Sequence, residues 1–145
     1  MSDDDIAMGC RFSLKKIRIL VLLLLFLPVS CTFGKKEYGA GEINSLSVAA
    51  FADSISKHGV QLVDVRTPDE FVAGNIPGSV NIDVLTGHFG ETAATMLDKA
   101  YTVAVYCRSG NRSKNAAKTL SMMGYNVVEL DGGYNDWVEY CGDAK

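Results

Sequence analysis

Seven consecutive residues, Cys107-Arg108-Ser109-Gly110-Asn111-Arg112-Ser113, concentrate the reactive side chains of this 145-residue chain. They follow the β-patterned run Tyr101-Thr102-Val103-Ala104-Val105-Tyr106 and precede a helix-like segment. A cysteine at the end of a buried strand, facing a short loop that enters a helix N-terminus, suits anion chemistry. Successive backbone N–H groups converge there, and the helix dipole adds positive potential. Such surroundings stabilise a thiolate, lowering a cysteine pKa from about 8.5 to roughly 3.5–7.5. Arg108 and Arg112 add fixed charge at the rim. The pattern is that of a reactive cysteine in an anion-binding cradle.

Positioning that cradle requires an ordered set of short elements. From Ser45 an apolar stripe of Leu46, Val48, Ala49, Phe51, Ala52 and Ile55 predicts a helix, stopped by Gly59. Gln61 to Val65 reads as a short buried strand. Thr67-Pro68-Asp69-Glu70 then starts a helix, with Thr67 as N-cap, Pro68 at the first position and Glu70 closing a capping box. The turn-rich Gly74-Asn75-Ile76-Pro77-Gly78-Ser79 leads to a strand near Val80–Ile82, and Glu91–Lys99 is helical. After the cysteine loop come a helix near Arg112–Met123 with Gly124 at its C′ position, a strand over Asn126-Val127-Val128-Glu129-Leu130, and a final helix carrying Tyr134, Trp137 and Val138. Apolar strands alternating with helices predict an α/β domain over residues 44–141, a mostly parallel sheet flanked by helices on both faces. Ligands of such folds bind beyond the carboxyl ends of the strands, where Cys107 falls.

The N-terminus has a different character. Arg11, Lys15, Lys16 and Arg18 precede an apolar run, Ile19 to Val29, with the length of a signal-peptide core rather than a bilayer span. Its end, Leu27-Pro28-Val29-Ser30-Cys31, is similar to a bacterial lipobox, although Pro28 stands where that motif usually has leucine. Residues 1–30 are therefore expected to be a signal peptide, Cys31 the lipidated mature N-terminus, and residues 31–43 a tether. This predicts a periplasmic or cell-envelope protein held to the membrane through Cys31.

Processing would remove four basic and three acidic side chains from a chain of net charge −3, leaving −4, a poor balance for binding nucleic acid. Positive charge nevertheless gathers around Cys107. Lys99, Arg108, Arg112, Lys114 and Lys118 lie in a stretch with no acidic residue between Asp98 and Glu129. Of the four cysteines, Cys107 and Cys141 would remain as thiols after processing at Cys31. No paired Cys/His spacing is present and His58 and His88 stand apart, so no metal site is expected. Cys141 is read either as a partner thiol for Cys107 or as an incidental residue near a frayed end.

Four ordered motifs carry a family resemblance. Leu62-Val63-Asp64-Val65-Arg66-Thr67-Pro68-Asp69-Glu70-Phe71, the Gly74–Ser79 turn, the Cys107–Ser113 loop, and Gly124-Tyr125 with Gly132-Gly133-Tyr134-Asn135-Asp136-Trp137 together resemble single-domain rhodaneses, which are sulfurtransferases. The resemblance implies a three-layer rhodanese-like domain with no cofactor, and a persulfide on Cys107 as the sulfur carrier between a thiosulfate-like donor and a cyanide or thiol acceptor. Covalent catalysis of this kind predicts ping-pong kinetics. Backbone N–H groups from Arg108 to Ser113, including those of Ser109, Gly110 and Asn111, would hold the sulfur anion. Arg108 and Arg112 would hold the donor, with Arg112 also able to buttress the loop.

The resemblance further implies structural roles for Asp64 and Arg66, with Arg66 paired to Glu70 or a nearby carboxylate. Asn75 departs from the histidine common before Ile-Pro-Gly in the family. Trp137 and Phe71 are expected in the core. Loop length separates this reading from cysteine-dependent phosphatases, whose Cys-x5-Arg loop is one residue longer than the Cys-x4-Arg seen here. The remaining alternatives are a persulfide-carrying interaction module with little small-molecule turnover and an inactive binding domain. A monomer is the default expectation.

Overall fold

The computed structural model describes residues 39–143. The expected signal peptide and lipidation site at Cys31 lie outside them. Ten elements follow one another: β1 (Ile43–Leu46), α1 (Val48–Ile55), β2 (Val60–Asp64), α2 (Pro68–Ala73), β3 (Val80–Asn81), α3 (Phe89–Met96), β4 (Thr102–Tyr106), α4 (Asn111–Met122), β5 (Val127–Leu130) and α5 (Gly133–Asp143). The strands form one sheet in the order β1-β5-β4-β2-β3, and every pairing is parallel.

Strand alternation divides the core in two. Val103, Val105 and Cys107 point to one face, packed with Val63, Val65, Ala93, Ala116, Ala117 and Leu120 beneath α3 and α4. Ala104 and Tyr106 point to the other, with Phe51, Ile76 and Leu130, against which Tyr134 and Trp137 of α5 pack half-buried. Helices thus cover both faces of a parallel sheet, as the alternating pattern predicted. Phe71 belongs to neither cluster and is only half-buried, so the core role expected for it does not hold.

One element differs in kind from its sequence pattern. The stretch from Ser45 was expected to be helical, yet Ile43–Leu46 is a strand paired in register with Val127–Leu130 of β5. Helix starts only after Ser47. The apolar residues Leu46 and Val48 suit either element, and pairing with the open edge of β5 decides between them. The residues just before β1 already dock on the domain: Gly41 N–H donates to Ser121 O at 2.9 Å and Ser121 Oγ to Gly41 O at 2.6 Å.

Candidate active site

Two strand-to-helix connections meet at the carboxyl end of the sheet, one after β2 and one after β4. The first is closed by its own side chains. Thr67 Oγ1 accepts from Glu70 N–H at 3.4 Å, and Glu70 Oε2 accepts from Thr67 N–H at 3.2 Å, completing the expected capping box with Pro68 inside the first turn. Just before it, Arg66 is 4% exposed and its charge needs a partner. Asp64 supplies one: Arg66 Nη2 reaches Asp64 Oδ2 at 2.6 Å and Nε reaches both carboxylate oxygens at 3.0 Å. Arg66 Nη2 also donates to Gly74 O at 2.6 Å, and the guanidinium stacks 4.1 Å over the Tyr134 ring. The pairing expected for Arg66 is thus with Asp64 and not with Glu70. Asp64 holds the guanidinium and accepts from Arg66 N–H at 2.9 Å, so both residues fasten backbone near the site.

Asn75, in place of the family's usual histidine, pins the end of α2 by donating from Nδ2 to Phe71 O at 3.1 Å. Tyr106 ties the same turn to β4. Its hydroxyl accepts from Ile76 N–H at 3.0 Å and meets Ser79 Oγ at 3.0 Å. Burial pushes that phenol up to about 12, so it stays neutral and keeps its proton.

The second connection is left open. Cys107 ends β4, and α4 begins at Asn111 after Gly110, whose φ of +87° is the left-handed conformation glycine adopts without cost. No side chain caps this helix. Its first N–H groups are instead turned toward sulfur. Burial raises the Cys107 thiol, but the Ser113 hydroxyl and the backbone N–H groups of Ser113, Ser109 and Arg112 outweigh it, and the net shift is downward. Ser113 is fully buried with Oγ 3.4 Å from Cys107 Sγ. Cys107 itself is 1% exposed. The loop is held from behind by the start of α5, where Tyr134 N–H donates to Cys107 O at 2.7 Å and Asn135 N–H to Arg108 O at 3.1 Å. Carbonyls therefore point back and N–H groups forward. Gly133 makes this approach feasible, because a Cβ there would lie 2.6 Å from Cys107 O and 2.7 Å from Ser109 N.

The two arginines separate in role. Arg112 forms a two-pronged pair with Glu70, Nη1 to Oε2 and Nη2 to Oε1, both at 2.7 Å. That bond holds the Glu70 carboxyl down to about 2 and raises the guanidinium. Arg112 thus joins the cysteine loop to α2, the buttress reading, and its fork is already occupied rather than free for a donor anion. Arg108 is exposed, without an ion pair among the described residues, and lines a cleft of about 190 Å³ with Arg66, Glu70, Gly74, Tyr134 and Asn135. The basic stretch expected around Cys107 is in part neutralised by distant acids, since Lys114 also pairs with Asp131 at 2.8 Å. Cys141 is an exposed free thiol on α5.

Sequence reasoning missed Tyr106, Gly133, Tyr134 and Glu129 as parts of this site. Gly133 and Tyr134 were legible only as members of the Gly132–Trp137 motif, and Glu129 only as a lone carboxylate inside an apolar strand.

The site is thus a thiol set in backbone N–H groups at the end of a central strand of an all-parallel sheet, its loop tied to the neighbouring connection by the Arg112–Glu70 pair. The sequence profile of the rhodanese-like domain matches residues 47–140, and the chain belongs to that family. A thiosulfate sulfurtransferase of Escherichia coli K12 is 40% identical over 75 residues, 51% of this chain and 70% of the relative. A thiosulfate:glutathione sulfurtransferase of Saccharomyces cerevisiae is 35% identical over 115 residues, covering 70% and 82%. Among solved structures, a rhodanese-related protein of Thermoplasma volcanium superposes with a TM-score of 0.59 at 32% identity, over 67% of this chain and 92% of that one.

Proposed function

We propose that the chain moves a sulfane sulfur from an anionic donor such as thiosulfate to a thiophilic acceptor, cyanide or a thiol, through a persulfide on Cys107. The observation that carries this reading is the convergence of the Ser109, Arg112 and Ser113 N–H groups and the Ser113 hydroxyl on one sulfur. In the first half-reaction the thiolate attacks the outer sulfur of thiosulfate. A new S–S bond forms, the old one breaks, and sulfite leaves with the bonding pair. The persulfide anion then occupies the place the thiolate held, facing the same donors. In the second, cyanide or a thiolate attacks the outer sulfur and Cys107 leaves as thiolate. Arg108 at the cleft draws the anionic donor inward, while Arg112 and Glu70 keep the loop in place.

Intact-protein mass spectrometry tests this. Thiosulfate should add one sulfur atom to the wild type and none to Cys107→Ser, and cyanide should remove it. A wild type that fails to load, or a Cys107→Ser variant that loads equally, would overturn the mechanism. Fast steady-state turnover with cyanide separates an enzyme from a slow carrier. The N-terminal sequence supports export with a lipid on Cys31, which would place this chemistry at the cell envelope. A Cys31→Ala variant should leave the membrane fraction, and its retention there would count against the anchor.

A further inference from the structure

Beneath the nucleophile lies a buried carboxylate that sulfur transfer leaves without a task. Glu129 of β5 is 1% exposed. Its Oε1 accepts from Ser113 Oγ at 2.7 Å and its Oε2 from Ser45 Oγ of β1 at 2.5 Å. The same Ser113 hydroxyl lies 3.4 Å from Cys107 Sγ and 3.0 Å from Gly110 O. One hydroxyl therefore bridges the sulfur and the carboxyl, and with a single proton it donates to one of them at a time.

A thiolate and a carboxylate separated by one buried hydroxyl repel each other, which favours a single shared negative charge. The surroundings differ sharply in what they offer that charge. Sulfur has the backbone N–H groups of Ser109, Arg112 and Ser113 at the start of α4. Among the described residues Glu129 has two serine hydroxyls and no ion pair. The charged groups packed nearest it are Lys114 and Lys118 of α4, and Lys114 Nζ is taken by Asp131. Charge on sulfur and the proton on the carboxyl is thus the better matched arrangement.

We propose that Glu129 is the proton acceptor for Cys107, acting through the Ser113 hydroxyl. This rests on Cys107 being the nucleophile. The S–H bond breaks and its proton goes to Ser113 Oγ, while the Ser113 O–H proton passes to Glu129 Oε1. The pair keeps one proton and one negative charge, which moves from carboxylate to sulfur without an external base. Protonated Glu129 then donates to Ser113, and Ser113 donates to the thiolate or to the persulfide that replaces it. Glu129 also borders a groove of about 250 Å³ with Ile43, Ser45, Lys114, Ala117 and Lys118.

Infrared spectroscopy of the full-length chain at neutral pH reads this directly through the C=O stretch of a carboxylic acid. The wild type should show a protonated-carboxyl signal that is absent from Glu129→Gln, whose amide keeps hydrogen bonds to both serines. The same signal should vanish in Cys107→Ser and after Cys107 is alkylated with iodoacetamide, because sulfur no longer holds the charge. No signal in the wild type, or one that survives loss of the thiolate, overturns the proposal. Sulfur loading is measured on the same samples. Loading without the infrared signal removes the proton relay alone, whereas a wild type that does not load removes the sulfurtransferase reading beneath it.

Discussion

The two strand-to-helix connections at the carboxyl end of the sheet have nearly the same layout and opposite electrostatic outcomes. After β2 the helix N-terminus is closed: Thr67 and Glu70 consume its first N–H groups, and Asp64 neutralises Arg66. After β4 the N-terminus is open, because Gly110 has no side chain to offer and the N–H groups fall on Cys107 Sγ. The difference between a structural turn and an anion cradle is here a matter of whether a side chain caps the helix. The closed connection also serves the open one, since Glu70 caps its own helix and grips Arg112 of the other.

Breaking the closed connection should cost the most. Asp64→Ala leaves the Arg66 guanidinium buried without its carboxylate, and a loss of about 3–5 kcal/mol in denaturant unfolding is expected. Closing the open connection comes next. Gly110→Asp adds a carboxylate at the start of α4, close to Glu129 Oε1, and should raise the Cys107 thiol and slow sulfur loading at neutral pH several-fold. Gly110→Asn carries the same backbone strain without the charge, so a fall of equal size there would show that strain alone is responsible.

The link between the connections is sharpened by acid. Glu70 is held at about 2 against an ordinary 4.5, so its stabilisation is complete above about 4.5 and is lost as the pH falls toward about 2. Glu70→Gln should be less stable at neutral pH and should flatten that part of the acid-unfolding curve. The smallest effect belongs to the cap itself. Thr67→Ala should cost about 1 kcal/mol while leaving the pH dependence of Cys107 alkylation unchanged.

Sequence made the open connection legible because its chemistry is local: a cysteine, a glycine turn and a helix start within seven residues. The capping box around Thr67 was legible for the same reason. What escaped depends on chain crossings. Arg112 meets Glu70 across 42 residues and Ser45 meets Glu129 across 84, and no spacing rule joins such positions. Strand β1 escaped likewise, since the short, half-polar stretch Ile43-Asn44-Ser45-Leu46 becomes a strand only through the free edge of β5. The competing pattern at Ser45 was a genuine helix that begins two residues beyond that strand.

The grip of α5 on the carbonyls of Cys107 and Arg108 also sets an order of events during synthesis. Cys107 leaves the ribosome well before Gly133, so a nascent chain ending near Asp131 has the cysteine but not the helix that aims its loop. Until α5 is added, the loop lacks the two hydrogen bonds that hold its carbonyls back, and the thiol is expected to be less well aimed than in the finished chain.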